Sequence, residues 1–80
     1  MVLPDDVKEY IQNGMECDHV EVIGDGQHFQ AVIVSAAFRG KNRVQQHQLV
    51  YKALAGRMRE EIHALSMQTY TPEDWANAKG

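Results

Sequence analysis

A glycine-rich turn between two short apolar runs is the feature that most constrains the fold. The runs at residues 19–23 and 28–35 are typical of strands, and only the four residues 24–27 separate them. So short a connection joins strands that pair antiparallel, as a β-hairpin. A third apolar run, at residues 62–69, follows a long helical pattern, and a strand that returns after a helix can run parallel to its neighbour. The sequence therefore predicts a mixed sheet of three strands.

Helical patterns precede the hairpin and flank the third strand. The first helix begins at Pro4, since proline suits the first helical position. Residues 43–61 carry apolar or aromatic side chains at steps of three and four, which predicts one buried helix face. The members of this predicted face are Val44, His47, Tyr51, Leu54 and Met58. Gly56 allows a break into two helices, and Thr71 caps a last helix that starts at Pro72.

These elements follow one another in the order α-β-β-α(α)-β-α, in a chain of 80 residues. A chain of this length makes one domain, which we expect to span residues 1–80. Because the helices must bury their apolar faces against the sheet, we expect them to cover one sheet face. The predicted fold is an α+β two-layer sandwich with a three-stranded mixed sheet.

Composition and charge disfavour several classes of protein. No stretch approaches the roughly 20 apolar residues of a membrane span, and the first residues lack a signal-peptide pattern. The net charge of −3 supplies no overall attraction to phosphate. The single cysteine, Cys17, cannot form an intrachain disulfide and suits a reducing cytoplasm, where we expect the protein. Its neighbours Glu16 and Asp18 disfavour a thiolate, and no nucleophile–base pair is apparent, so we expect no enzyme.

Two of the four histidines are predicted to lie at one edge of the sheet. His28 opens the second strand and His63 opens the third, and parallel neighbours begin at the same edge. The pair would then offer two imidazoles to a metal such as zinc, copper or iron. Two ligands do not complete a tetrahedral site, and Cys17 is expected at the far end of the sheet, about 20 Å away by strand rise. Spacing alone favours two solvated surface histidines over a metal site, because a histidine pair without further ligands is a weak signal.

Two further groups of residues complete the candidates. His47 lies on the predicted helix stripe, where we expect a buried histidine with a hydrogen-bond partner. Arg39, Lys41 and Arg43 form a small basic cluster at the start of the central helix, which could contact phosphate or dock an acidic partner. The loop at 24–27 lacks the third glycine and the following helix of a dinucleotide site, so we interpret it as a hairpin turn that presents the next residue.

Six segments share their order and spacing with a known family. The segments are Gly24-Asp25-Gly26-Gln27-His28-Phe29, Phe38 with Gly40, Arg43-Val44, Val50-Tyr51, Ile62-His63-Ala64-Leu65-Ser66 and Tyr70-Thr71-Pro72-Glu73-Asp74-Trp75. They resemble the BolA family, and within it the short bacterial proteins of the IbaG type. This resemblance implies an αββααβ core like that of class II KH domains, in agreement with the predicted element order.

The resemblance also implies a function. BolA-like proteins pair with monothiol, CGFS-type glutaredoxins and bind a bridging 2Fe–2S cluster that depends on glutathione, as adaptors in iron–sulfur cluster trafficking and iron homeostasis. By that resemblance His63 and His28 are cluster ligands, and the partner's cysteine and glutathione supply the thiolates. The chain is then a non-enzymatic adaptor that forms a heterodimer with a glutaredoxin and is a monomer or weak homodimer alone.

Two alternatives stay open. The family is also linked to transcriptional regulation and stress response, so the chain can be a DNA- or RNA-binding regulator that uses Arg39, Lys41 and Arg43. A KH domain grips the nucleic-acid backbone with a Gly-x-x-Gly loop, and no such motif occurs in this sequence. The other alternative is an interaction module whose histidines are incidental.

Overall fold

A computed structural model describes residues 2–25, 27–54 and 64–79 of the chain. Its helices and strands, in chain order, are α1 (Pro4–Gly14), β1 (His19–Gly24), β2 (His28–Val34), a short 3₁₀ helix (Ala36–Phe38), α2 (Arg43–Leu54), β3 (Ala64–Tyr70) and α3 (Pro72–Lys79). The predicted helical residues 55–61, and the first two residues of the predicted third strand, lie outside the described residues. In the part of the chain that is described, no helix combines the length and apolar character needed to cross a membrane.

The three strands form one sheet in the order β1-β2-β3. β1 and β2 pair antiparallel, with His19 opposite Val34, whereas β2 and β3 pair parallel, with His28 opposite Ala64. The hairpin and the helical crossover read from the sequence are therefore confirmed, and so is the α+β class with a mixed sheet. Because β2 and β3 pair parallel, both strands begin at the same edge of the sheet, which matters for the candidate site.

The hydrophobic core lies between α1, α2 and one face of the sheet, here called the inner face. Strand residues alternate between the two faces, so the inward set on β2 is Phe29, Ala31 and Ile33. The remaining members of the core cluster are Val7 and Ile11 on α1, Val20 on β1, Phe38 of the 3₁₀ helix, and Val50 and Leu54 on α2. The opposite outer face carries mostly polar side chains and the imidazole of His28.

The buried face of α2 differs from the predicted one. Val44 and Tyr51 are 65% and 43% exposed, whereas Val50 and Ala53 are buried with Leu54. The reason is a close approach between helices, because a Cβ placed on Gly14 of α1 would lie 2.3 Å from the carbonyl oxygen of Ala53. The two small residues let the helix backbones meet there, and this contact selects the face of α2 that turns inward.

α3 covers one end of the outer face, so the expectation that helices cover a single sheet face is wrong for this helix. The ring of Trp75 stacks on His19 with centroids 5.2 Å apart and tilts against Tyr70 at 5.3 Å. Val34 pairs with both His19 and Tyr70 in the strand register, and it is only 1% exposed. The sequence signals for this helix are confirmed, since the Thr71 hydroxyl accepts the amide of Asp74 at 3.1 Å.

Candidate functional site

The turn between β1 and β2 is held by one carboxylate. Oδ1 of Asp25 accepts the backbone N–H groups of Gln27 and His28, each at 2.9 Å. These two hydrogen bonds hold the pKa of the Asp25 carboxyl below its ordinary value, and the bond from His28 makes the larger contribution. Gly24 closes the turn from the other side, because a Cβ there would lie 2.5 Å from the carbonyl oxygen of His28. The backbone of His28 is thus fixed at the start of β2.

His28 itself is exposed, on the outer face at the edge where β2 and β3 begin. It borders an open cavity of about 310 Å³ whose other lining residues are Ile23, Gly24, Asp25 and Gln30. Its register partner Ala64 directly follows His63 in the chain, and neighbouring strands lie about 4.8 Å apart. His63 lies outside the described residues, so the expectation that its ring joins that of His28 stays a prediction. Among the described residues, no group of three or more His, Cys, Asp or Glu is arranged to hold a metal.

Cys17 lies at the opposite end of the sheet from His28. The amide of its neighbour Asp18 donates to the carbonyl of Val34, the last residue of β2, at 2.7 Å. The thiol is half-buried, and burial, with a smaller contribution from Asp18, raises its pKa to about 11. Both observations agree with the prediction that Cys17 neither joins the histidines nor acts as a reactive thiolate.

The three basic residues do not form one free cluster. Arg39 makes a two-fold ion pair with Glu73 of α3, with Nε 2.8 Å from Oε1 and Nη2 bonded to Oε2. This pair raises the pKa of Arg39 and lowers that of Glu73. Lys41 and Arg43 are exposed on either side of Asn42, which caps α2 by accepting the amide of Gln45 at 2.9 Å. Of the three residues in the predicted basic cluster, Lys41 and Arg43 are therefore the two that are available to bind an anion.

Two polar residues of α2, His47 and Gln46, have contacts that were not predicted from the sequence. His47 is half-buried, and its Nε2 has no hydrogen-bond partner in the part of the chain that the structure describes, so the expected partner is not found at that atom. The adjacent Gln46 makes three bonds instead. Its Nε2 donates to the carbonyls of Phe38 at 3.3 Å and Lys41 at 3.0 Å, and its Oε1 accepts the Thr69 hydroxyl at 2.6 Å. A glutamine within a Gln-rich helix gives no signal for this role.

The comparison with protein families agrees with the fold and the turn. The model of the family described as BolA-like protein matches residues 10–74, which include α2, all three strands and the turn before His28. The chain belongs to the BolA family. The resemblance drawn from the sequence segments is thereby confirmed.

Individual relatives support the same assignment. The acid stress protein IbaG of Escherichia coli K12 is 38% identical over 72 residues, which cover 89% of this chain and 86% of that protein. The DNA-binding transcriptional regulator BolA of Haemophilus influenzae is 44% identical over 52 residues, or 65% of this chain and 50% of that protein. The structure of a BolA protein homologue from Coxiella burnetii superposes with a TM-score of 0.83 at 40% identity, covering 95% of this chain and 99% of that one.

Proposed function

We propose that this BolA-family chain is a non-enzymatic adaptor in iron–sulfur cluster trafficking that binds a bridging 2Fe–2S cluster jointly with a monothiol glutaredoxin and glutathione. One observation carries the proposal. The parallel register sets His28 opposite Ala64, the residue that directly follows His63. His63, the second ligand that the family resemblance names, is therefore one residue along the chain from the register partner of His28.

The chemistry of these residues fits an iron ligand. Imidazole is a good ligand for iron, and two histidines can hold one iron of a 2Fe–2S cluster while thiolates hold the other. His28 is exposed to a partner, and its backbone is fixed by the Asp25 carboxylate. The thiolates come from the glutaredoxin and glutathione in this proposal, since Cys17 is at the other end of the sheet. The cluster is cargo for an adaptor of this kind.

Imidazole ligation has two physical consequences. Replacing a thiolate by a neutral imidazole removes negative charge around the cluster, which raises its reduction potential. A ligating ring nitrogen must be unprotonated, so acid weakens the bond. Both follow from the ligand type and hold for His28 and His63 alike.

The test is anaerobic cluster reconstitution of the full chain with a monothiol glutaredoxin and glutathione, followed by visible circular dichroism. We expect a spectrum that differs from that of the glutaredoxin alone, is lost in His63→Ala and is altered in His28→Ala. His47→Gln is the matched control, since it removes a histidine of α2 that lies beside the later residues of β3, Met67 to Tyr70, and not beside Ala64 at its start. An unchanged glutaredoxin spectrum, or equal loss in all three variants, would contradict the proposal.

A second candidate function is nucleic-acid binding, as suggested by the similarity to the DNA-binding transcriptional regulator of Haemophilus influenzae. The supporting observation is that Lys41 and Arg43 are exposed at the start of α2. Neutralising both should lower the affinity for a DNA duplex and reduce its salt dependence, because each phosphate contact releases counterions. Neutralising Arg39 should change the salt dependence less, since Glu73 already pairs with it. No change in either quantity would contradict this role.

A further inference from the structure

The turn before His28 differs from an ordinary hairpin turn in one of its two closing bonds. Continued by one residue, the register of β1 and β2 sets Asp25 opposite His28, and such a pair normally exchanges two backbone N–H···O=C bonds. One of them is present, from the amide of Asp25 to the carbonyl of His28 at 3.2 Å. The return bond is made by a side chain, because the amide of His28 donates to Oδ1 of Asp25 at 2.9 Å. Asp25 therefore holds His28 at both its carbonyl and its amide.

The same carboxylate oxygen orders the residue before His28. Oδ1 of Asp25 also accepts the amide of Gln27 at 2.9 Å. An aspartate side chain is short enough to bond to amides two or three positions along the chain, which fixes a turn locally. A residue that is already held in place loses less conformational freedom when it binds a ligand, and that loss costs free energy. The backbone of His28 is thus preorganised before any partner arrives.

Asp25 also brings a negative charge to the edge of the sheet where His28 lies. Both residues line the open cavity of about 310 Å³, and among the described residues of that lining Asp25 is the one with a carboxylate. The bonds from His28 and Gln27 lower the pKa of Asp25 and the His28 imidazole adds to this effect, so the two side chains lie within electrostatic reach. A fixed negative charge beside a metal cluster opposes the uptake of an electron.

We propose that Asp25 is a positioning residue whose Oδ1 holds His28 ready to bind iron and whose charge lowers the reduction potential of the bound cluster. This role rests on the proposed function, in which His28 is one of two imidazole ligands. Imidazole ligation raises the reduction potential, and the charge of Asp25 offsets part of that rise. The two effects of Asp25 are separable, since an asparagine keeps an accepting oxygen and loses the charge.

The hold on His28 is tested in the full chain without a cluster, by hydrogen exchange of the backbone amides measured by NMR. Asp25→Ala should raise the exchange rates of the Gln27 and His28 amides at least about tenfold, because both lose their acceptor. Asp25→Asn should bring these rates back to within about threefold of the wild type. Unchanged exchange in Asp25→Ala would overturn the proposal, because the carboxylate would then not hold the turn.

The effect of the charge is tested in the complex with a monothiol glutaredoxin and glutathione, by redox titration and by the affinity for the cluster. Asp25→Asn should raise the reduction potential and bind the cluster at least as tightly as the wild type. Asp25→Ala also lacks the charge, and it should bind the cluster about tenfold more weakly than Asp25→Asn. Asp18→Asn is the matched control, because it removes the same charge beside the last residue of β2, at the opposite end of the sheet, and should change neither quantity.

The outcomes separate this role from the proposed function itself. If the wild-type complex forms its cluster but Asp25→Asn has the wild-type potential, or shifts it no more than Asp18→Asn does, the role of Asp25 is overturned and the shared cluster stands. Equal cluster affinities in Asp25→Ala and Asp25→Asn would overturn the positioning role in the same way. A wild-type complex that forms no shared cluster would overturn the proposed function and the role of Asp25 together.

Discussion

Replacing Gln46 by methionine should destabilise the protein although no core volume is removed. The substitution keeps a similar length and deletes three hydrogen bonds, to the carbonyls of Phe38 and Lys41 and from the hydroxyl of Thr69. A net contribution of about 0.5–1.5 kcal/mol for each bond gives about 1.5–4.5 kcal/mol. The bond to Lys41 is exposed to water, so we expect a loss in the lower half of that range, roughly 1.5–3 kcal/mol.

The variant should remain folded and measurable. A domain of this length has a free energy of unfolding of about 4–12 kcal/mol at typical values per residue. The expected loss corresponds to a fall in Tm of roughly 6–24 °C. Urea denaturation followed by far-UV circular dichroism gives the free energy directly. Gln48→Met is the matched control, because it makes the same change at an exposed position of the same helix and should stay within about 0.5 kcal/mol.

A double-mutant cycle isolates the bond between α2 and β3. Thr69→Val keeps the shape of the side chain and should cost about 0.5–1.5 kcal/mol. The double variant with Gln46→Met should be more stable than the sum of the two single losses by a similar amount, since both delete the same bond. Losses that add within about 0.3 kcal/mol would refute the assignment of Gln46 as the link between the helix and the strand.

Three further predictions concern packing, reactivity and pH. Gly14→Ala should destabilise the protein by about 1–3 kcal/mol, measured by urea denaturation, because its Cβ would meet the backbone of Ala53; a neutral result would contradict the close helix approach. Cys17, with a pKa near 11, should react with iodoacetamide at pH 8 much more slowly in the folded than in the urea-unfolded chain; equal rates would contradict its burial. Glu73, whose pKa Arg39 lowers, contributes stability that is present above its unfolded pKa and is lost as the pH falls through the folded value. Glu73→Gln should therefore show a shallower loss between pH 5 and 3 in acid titration, and an unchanged profile would argue against the ion pair.

The parts of the fold that local patterns encode were predictable. The turn at residues 24–27 is too short for anything except an antiparallel hairpin, and the long helical segment before β3 allows parallel pairing. The caps at Asn42 and Thr71 likewise come from single residues that bond to amides a few positions along. From these signals alone, His28 is placed at the edge where β2 and β3 begin.

The parts that depend on contacts between distant elements were not predictable. α2 carries two interleaved stripes at helical spacing, and the one that includes Val44 and Tyr51 is largely exposed. The choice is made by the contact of Gly14 with Ala53, which no periodicity within α2 reveals. Similarly, Trp75 packs on His19 on the outer face, although the two lie 56 residues apart in the sequence.

The measurement that tests the central claim most directly is pulsed electron paramagnetic resonance of the reduced cluster in the complex of this chain with a monothiol glutaredoxin and glutathione. Nitrogen bound to iron gives hyperfine couplings that thiolate ligands do not. The account predicts strong couplings from two histidine nitrogens, which respond to ¹⁵N labelling of histidine in this chain alone, and it predicts that His63→Ala removes the coupling of one of them. A cluster whose spectrum shows no such coupling, or the same coupling in that variant, would contradict it.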